Sequence, residues 1–200
     1  SQNKPVIILE IGSLYRGQTW KVAVNNITKD GYYGHEENLD WDRPRTLNVS
    51  QAITFNSSPN VVIAAQHARS LQVTGMDMTQ WVLDQIKMVK QHTDRPISVR
   101  PHPRNRLNLS QLPPDVTVEQ PRPVAGTHDS FDMRFNYHAV VNHNSGPGVQ
   151  AAIAGCRPIV HESSLAAPVG MSMANIEKSY DINRDQWLVE ICHTEYTLTE

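Results

Sequence analysis

Apolar residues in this chain gather in short runs, each halted by a polar or Gly/Pro cluster. Residues 5–11 (PVIILEI) predict a buried strand closed by a Gly12-Ser13 turn. Residues 20–27 (WKVAVNNI) alternate weakly and fit either a strand or a short helix. Residues 29–60 are rich in Gly, Asn, Asp, Pro and Ser and carry Tyr32, Tyr33 and Trp41. That composition reads as a long irregular connection between two lobes.

From residue 61 the pattern sharpens. Residues 61–65 predict a strand, and residues 79–92 a helix with Val82, Leu83, Ile86 and Val89 on one face and Thr79 as its candidate cap. The segment Thr93-Asp94-Arg95-Pro96 stops that helix. Strands are predicted at 97–99, 116–118, 139–142 and 158–161, and helices at 131–137, 147–154 and 185–193. Strands alternating with helices imply parallel crossovers and a sheet covered on both faces, an α/β fold.

Four polar segments each follow a predicted strand: Gln66-His67, Arg100 to Arg104, His143 to Gly148, and Glu162-Ser163-Ser164. In a parallel sheet all strand C-termini share one edge, where open α/β folds bind ligands. Within RPHPR, Pro101 and Pro103 stiffen the backbone, so Arg100, His102 and Arg104 project in fixed directions. Arginine forks bind phosphate oxygens bidentately, and His102 can donate to another oxygen. The turn Asn144-Ser145-Gly146-Pro147-Gly148 leads into an alanine-rich helix, whose N-terminus attracts anions. Asn144 and Ser145 are candidate caps there, and Gly146 and Gly148 would let a ligand approach the backbone. Glu162 fits a role accepting from ribose hydroxyls, or the segment is a helix N-cap cluster formed by Ser163 and Ser164.

Bulk properties narrow the partners. The 200 residues are 39% apolar, enough for a core, and carry a net charge of −2 with a pI near 6.5. No global basic field exists, so any contact with DNA must come from a local patch or from residues outside this chain. No signal peptide or membrane-spanning apolar run is present, so no membrane partner is expected. Cys156 and Cys192 lack CxxC spacing, which favours reduced thiols and a cytoplasmic setting. The chain starts at Ser1 just ahead of a strand, so further N-terminal residues are expected. The nine histidines show no HxxxH or zinc spacing, and no metal is expected. Ser145 lacks a GxSxG elbow, and neither a P-loop nor GxGxxG occurs. Trp81 and Trp187 read as core residues, while Tyr32, Tyr33 and Trp41 are the candidate stacking platforms.

The segments EIGSLYRGQTWKVAVN, TDRPISVRPHPR, NHNSGPGVQAAIAGCRPIVHE and DQWLVEICHTEYTLTE resemble a family of phage-encoded GT-B-like glycosyltransferases. The last is similar to that family's recurring QQWLxxLAYxxWTxxE ending. RPHPR followed by the NSG turn is also similar to capsule-polysaccharide transferases. The resemblance covers most of residues 5–200. It implies part of an acceptor lobe and a linker at 1–60, then a Rossmann-like nucleotide-sugar lobe at 61–200 with helices on both faces. His143 stands where relatives often carry a small or aromatic residue, and no role is carried onto it.

The resulting expectation is sugar transfer from a nucleotide-diphosphate sugar, of UDP type, to an acceptor hydroxyl. Gln66, His67, Arg100, His102, Arg104, Asn144, Ser145, Gly146, Gly148, Glu162 and Ser163 are the donor-binding candidates. Arg100, Arg104 and the helix N-terminus would stabilise the leaving diphosphate without a metal or other cofactor. Glu10, which could equally cap a turn or pair with Arg16, is the candidate base, with His35 next. By the same resemblance the acceptor would be a hydroxymethylated pyrimidine in phage DNA, modified in the host cytoplasm. The rival readings are a non-catalytic nucleotide-sugar module, as in a subunit of a phage assembly, and a capsule or glycan transferase. Nothing in the pattern points to an oligomeric state.

Overall fold

The computed structural model describes residues 4–34, 38–52, 55, 58–105, 107–123, 132 and 136–199. Its first strands, β1 (Ile7–Ile11) and β2 (Thr19–Val24), pair antiparallel through a turn that begins at Gly12. β1 is not the buried strand expected from its apolar run. It lies at the edge of its sheet, and Ile7 and Leu9 are 70% and 66% exposed. The ambiguous WKVAV segment is a strand, with Thr19, Lys21 and Ala23 buried and the residues between them half-buried. Among its described residues the connection that follows is irregular apart from α1 (Arg43–Thr46), which carries Pro44 in its first turn, where a missing N–H costs nothing.

The larger sheet is parallel throughout. It contains β3 (Val61–Ala64), β4 (Ile97–Arg100), β5 (Thr117–Val118), β6 (Ala139–Asn142) and β7 (Arg157–Val160), in the order β5-β4-β3-β6-β7. The VVIA, ISVR and AVVN segments are buried on both faces, as strands between helical layers must be. One face packs Val61, Ile63, Val99 and Val141 against Val82, Ile86 and Val89 of α2 (Met78–His92). The other packs Val62, Ala64 and Val140 against Ala151 of α3 (Gly146–Ile153). β4 runs one residue beyond its predicted end and takes in Arg100. α2 is capped by Asp77, which accepts from Thr79 N (2.9 Å) and Gln80 N (3.1 Å), so Thr79 is inside the helix and not its cap. The helix expected over 131–137 falls mostly outside the described residues.

The C-terminal segment returns to the first sheet. α4 (Asp185–Cys192) buries Trp187, Leu188 and Ile191 against Leu14, Leu47, Val149 and Ala152. β8 (Glu195–Thr197) then pairs antiparallel with β2, giving the order β1-β2-β8. The expected boundary at residue 60 is thus crossed by the end of the chain. Trp81 packs against the core and Trp187 lies within it, as read from their helical spacing. Among the described residues no helix is long and apolar enough to cross a membrane.

Candidate functional site

The strand order reverses between β3 and β6. The chain builds outward from β3 to β5 on one side, then crosses over to build β6 and β7 on the other. Such a reversal leaves a crevice beyond the strand C-termini. Here a cavity of about 370 Å³ opens there, walled on one side by the large sheet's loops and on the other by the β1–β2 turn. Gln66, His67, Arg100, His102, Arg104, Asn144, Ser145 and Gly146 all line it, and so does Glu10. Its size falls within the range of small-molecule sites, roughly 300–1,000 Å³.

Side-chain amides fix the floor. Asn142, buried at the end of β6, donates from Nδ2 to the Ala64 carbonyl (2.8 Å) and accepts the Ser145 N–H at Oδ1 (2.9 Å). Gln66 Nε2 donates to Asn144 Oδ1 (3.0 Å), and the Asn144 N–H returns to Gln66 Oε1 (3.3 Å). Asn144 Nδ2 donates to Ser163 Oγ (3.0 Å). These bonds correct the capping expectation. Ser145 holds the N-cap position but its side chain makes no cap bond, and the Asn144 amide is committed elsewhere. Residues 144–147, at the start of α3, line the crevice without a side-chain cap, so the positive end of the helix dipole faces it.

The RPHPR segment divides into two roles. Arg100 is buried, and its Nη2 donates to the Asp132 carboxylate (2.9 Å) and carbonyl. Burial opposes the charge on Asp132, but the Arg122 N–H and the Arg100 guanidinium outweigh it and hold this carboxyl below its usual range. Arg100 therefore anchors the loop more than it projects, contrary to the fixed outward direction expected of it. His102 accepts the Arg104 N–H at Nδ1 (3.1 Å) and meets His67 edge to face at 5.0 Å. Arg104 lies beyond that turn, on the crevice wall.

The opposite wall was largely unforeseen. Glu10 lines it and pairs with Lys21, whose Nζ stands 3.6 Å from Glu10 Oε2. Behind them Glu195, 1% exposed, accepts from Ser13 N (2.5 Å), Leu14 N (3.0 Å) and Thr19 Oγ1 (2.7 Å). Gln150 of α3 donates to the Ser13 carbonyl. Ser13 also lies against Gly146, where a β-carbon would come within 3.2 Å of its Oγ. The two walls thus touch through Ser13. Thr19 and Lys21 alternate with Trp20 and Val22 in β2, a strand phase with polar side chains inward, but nothing within β2 points to Glu195 of β8.

Other candidates fall away from the crevice. Gly148 packs under Val160, whose Cγ1 would lie 2.8 Å from an added β-carbon; it serves helix–strand packing and not ligand approach. Glu162 lines a separate shallow groove with Lys29 and Met171, and Ser163 acts behind Asn144. His35 lies outside the described residues. Tyr33 is buried, with its hydroxyl donating to the Thr28 carbonyl (3.0 Å), so it cannot stack a base; Tyr32 and Trp41 remain exposed. Burial, then the Glu10 and Glu195 carboxylates, push the Tyr33 phenol upward. His143 stacks on His161 at 4.5 Å, and burial followed by the charge of His161 pushes its pKa down. Among the described residues no three His, Cys, Asp or Glu side chains converge as a metal-binding group.

No family model matches the chain, and no curated protein matches it. In structure it is similar to KpsC, a beta Kdo 2,7 transferase from Thermosulfurimonas dismutans. The TM-score is 0.50 at 14% sequence identity, over 94% of this chain and 68% of that one. At that identity the likeness is one of fold.

Proposed function

We propose that the crevice binds a nucleotide-activated sugar and that the chain transfers the sugar to an acceptor hydroxyl, as a glycosyltransferase of GT-B type. One observation carries this reading. An anion-attracting wall, made by the start of α3 and the Arg104 loop, faces a carboxylate, Glu10, across one crevice at the sheet's reversal point. Charge grows on the leaving phosphate during transfer, and preorganised donors on the first wall offset it. An inverting transfer also needs a base beside the attacking hydroxyl, and we assign that role to Glu10, the carboxylate lining the crevice. The fold likeness to a Kdo transferase supports the same chemistry.

For the acceptor, that likeness favours a glycan over DNA. The DNA reading rested on the family resemblance together with three aromatic residues, of which Tyr33 is buried, and it must also contend with a net charge of −2. Incubation of the full-length protein with UDP-sugars, nucleotide-activated Kdo, oligosaccharide acceptors and hydroxymethylated DNA tests the reading. Labelled sugar should appear on an oligosaccharide. Transfer to hydroxymethylated DNA alone would reverse the choice of acceptor. Donor binding with neither transfer nor donor hydrolysis would make the chain a non-catalytic nucleotide-sugar module.

A further inference from the structure

The small sheet inverts the usual placement of side chains. Ile7 and Leu9 point to solvent, while Glu10, Thr19, Lys21 and Glu195 occupy the face turned toward the rest of the molecule. Glu10 pairs in register with Lys21, and Lys21 with Glu195, so the three form one row across three strands. The charges alternate along that row. Glu195 is spent on the Ser13, Leu14 and Thr19 donors, which leaves Glu10 as the carboxylate that Lys21 pairs with. The two side chains differ sharply in exposure: 8% for Lys21 and 44% for Glu10.

Taking an ammonium out of water is costly, and an apolar side chain of similar volume would often serve stability as well or better. The pair is thus poorly explained by folding alone. We propose that Lys21 is the positioning residue of Glu10. Rooted in the sheet, it holds the Glu10 carboxylate in the crevice, turned toward the acceptor hydroxyl. This inference rests on the transferase reading above, in which Glu10 is the base.

The test is a double-mutant cycle on the full-length protein, with transfer kinetics and donor calorimetry on each variant. Glu10→Gln should lower kcat by about 100-fold or more, the usual scale of general base catalysis. Lys21→Met should lower kcat by roughly 10-fold with donor Kd unchanged, and Lys21→Arg should recover most of the loss. Residues acting as a unit are non-additive, so Glu10→Gln with Lys21→Met should be no slower than Glu10→Gln alone. Lys21→Gln repeats the cycle in case the methionine variant folds poorly. Losses that multiply in the double variant would overturn the proposal, as would a raised donor Kd at unchanged kcat. A wild-type protein that binds donors but transfers nothing overturns the transferase reading together with this one. An active wild type with multiplying losses overturns the positioning role alone.

Discussion

The Glu195 carboxylate occupies the space where Gly12 would carry a β-carbon, and the Thr19 carbonyl lies only 2.7 Å from that point. Gly12 is therefore required by close approach, and the carboxylate it admits ties down Ser13 and Leu14. Gly12→Ala should destabilise the chain by about 1–3 kcal/mol, the range for overpacking a closed site. Glu195→Ala should cost a similar ~1–3 kcal/mol by leaving buried N–H groups without acceptors. Urea unfolding measures both, and a Gly12→Ala variant of wild-type stability would show that the turn relaxes freely.

Arg100 and Arg104 should separate under mutation. Arg104→Ala is expected to weaken nucleotide-sugar binding by about 1.5–3 kcal/mol, as loss of a charged hydrogen bond does. Arg100→Ala should instead lower stability, by roughly 1–3 kcal/mol, because it strands the Asp132 acceptors. Calorimetry and thermal unfolding on the same two variants decide this. Equal loss of affinity in both, with stability intact, would return Arg100 to direct ligand contact.

The parallel sheet was legible because its strands are short apolar runs alternating with helical periods, and the crevice because polar residues follow those runs. Gln66, His102, Arg104 and Ser145, which line the crevice, follow those runs. The β1–β2 wall was not legible. An apolar run such as PVIILEI reads as buried, yet on an edge strand the same residues can face solvent while Glu10 turns inward. Lys21 and Glu195 gave no motif, since their meaning comes from a three-strand register joining residues from the two ends of the chain. The roles of Asn144 and Gly148 were misjudged for a related reason. Their partners, Gln66, Ser163 and Val160, lie on other loops and strands, and spacing within a single turn carries no trace of them.

The cap of α2 offers a check on that local reading. Asp77 accepts two first-turn N–H groups, whereas the Thr79 hydroxyl accepts the Asn108 N–H (3.2 Å) from a neighbouring loop. Asp77→Ala should cost about 1 kcal/mol, the usual loss of an N-cap. Asp77→Asn should recover most of it, since the amide oxygen still accepts. Chemical denaturation gives the values, and a larger loss in Thr79→Ala than in Asp77→Ala would reverse the assignment.

Acid should lower the stability of the chain over two pH ranges. Burial, then the charge of His161, hold His143 below the ordinary histidine value of 6.5. Burial does the same to His138; the Ile176 carbonyl partly opposes it, and Arg157 and Arg95 reinforce it. The unfolded chain therefore binds protons that the native state refuses, and stability falls as pH drops below about 6.5 and through the depressed native values. Glu177 adds the second range. Hydrogen bonds from Arg95 first, and from Thr93 after the opposing effect of burial, bring it from 4.5 down to about 2. Its contribution is present above 4.5 and is lost as pH falls toward about 2. Urea midpoints measured across this range should show both declines. His143→Phe, which keeps a ring against His161 and Trp81, should reduce the first and leave the second. Glu177→Gln should flatten the second, and by removing the carboxylate that partly raises His138 it should deepen the first. A wild-type midpoint that stays level from about pH 7 to pH 5 would mean that neither histidine is held neutral by the fold.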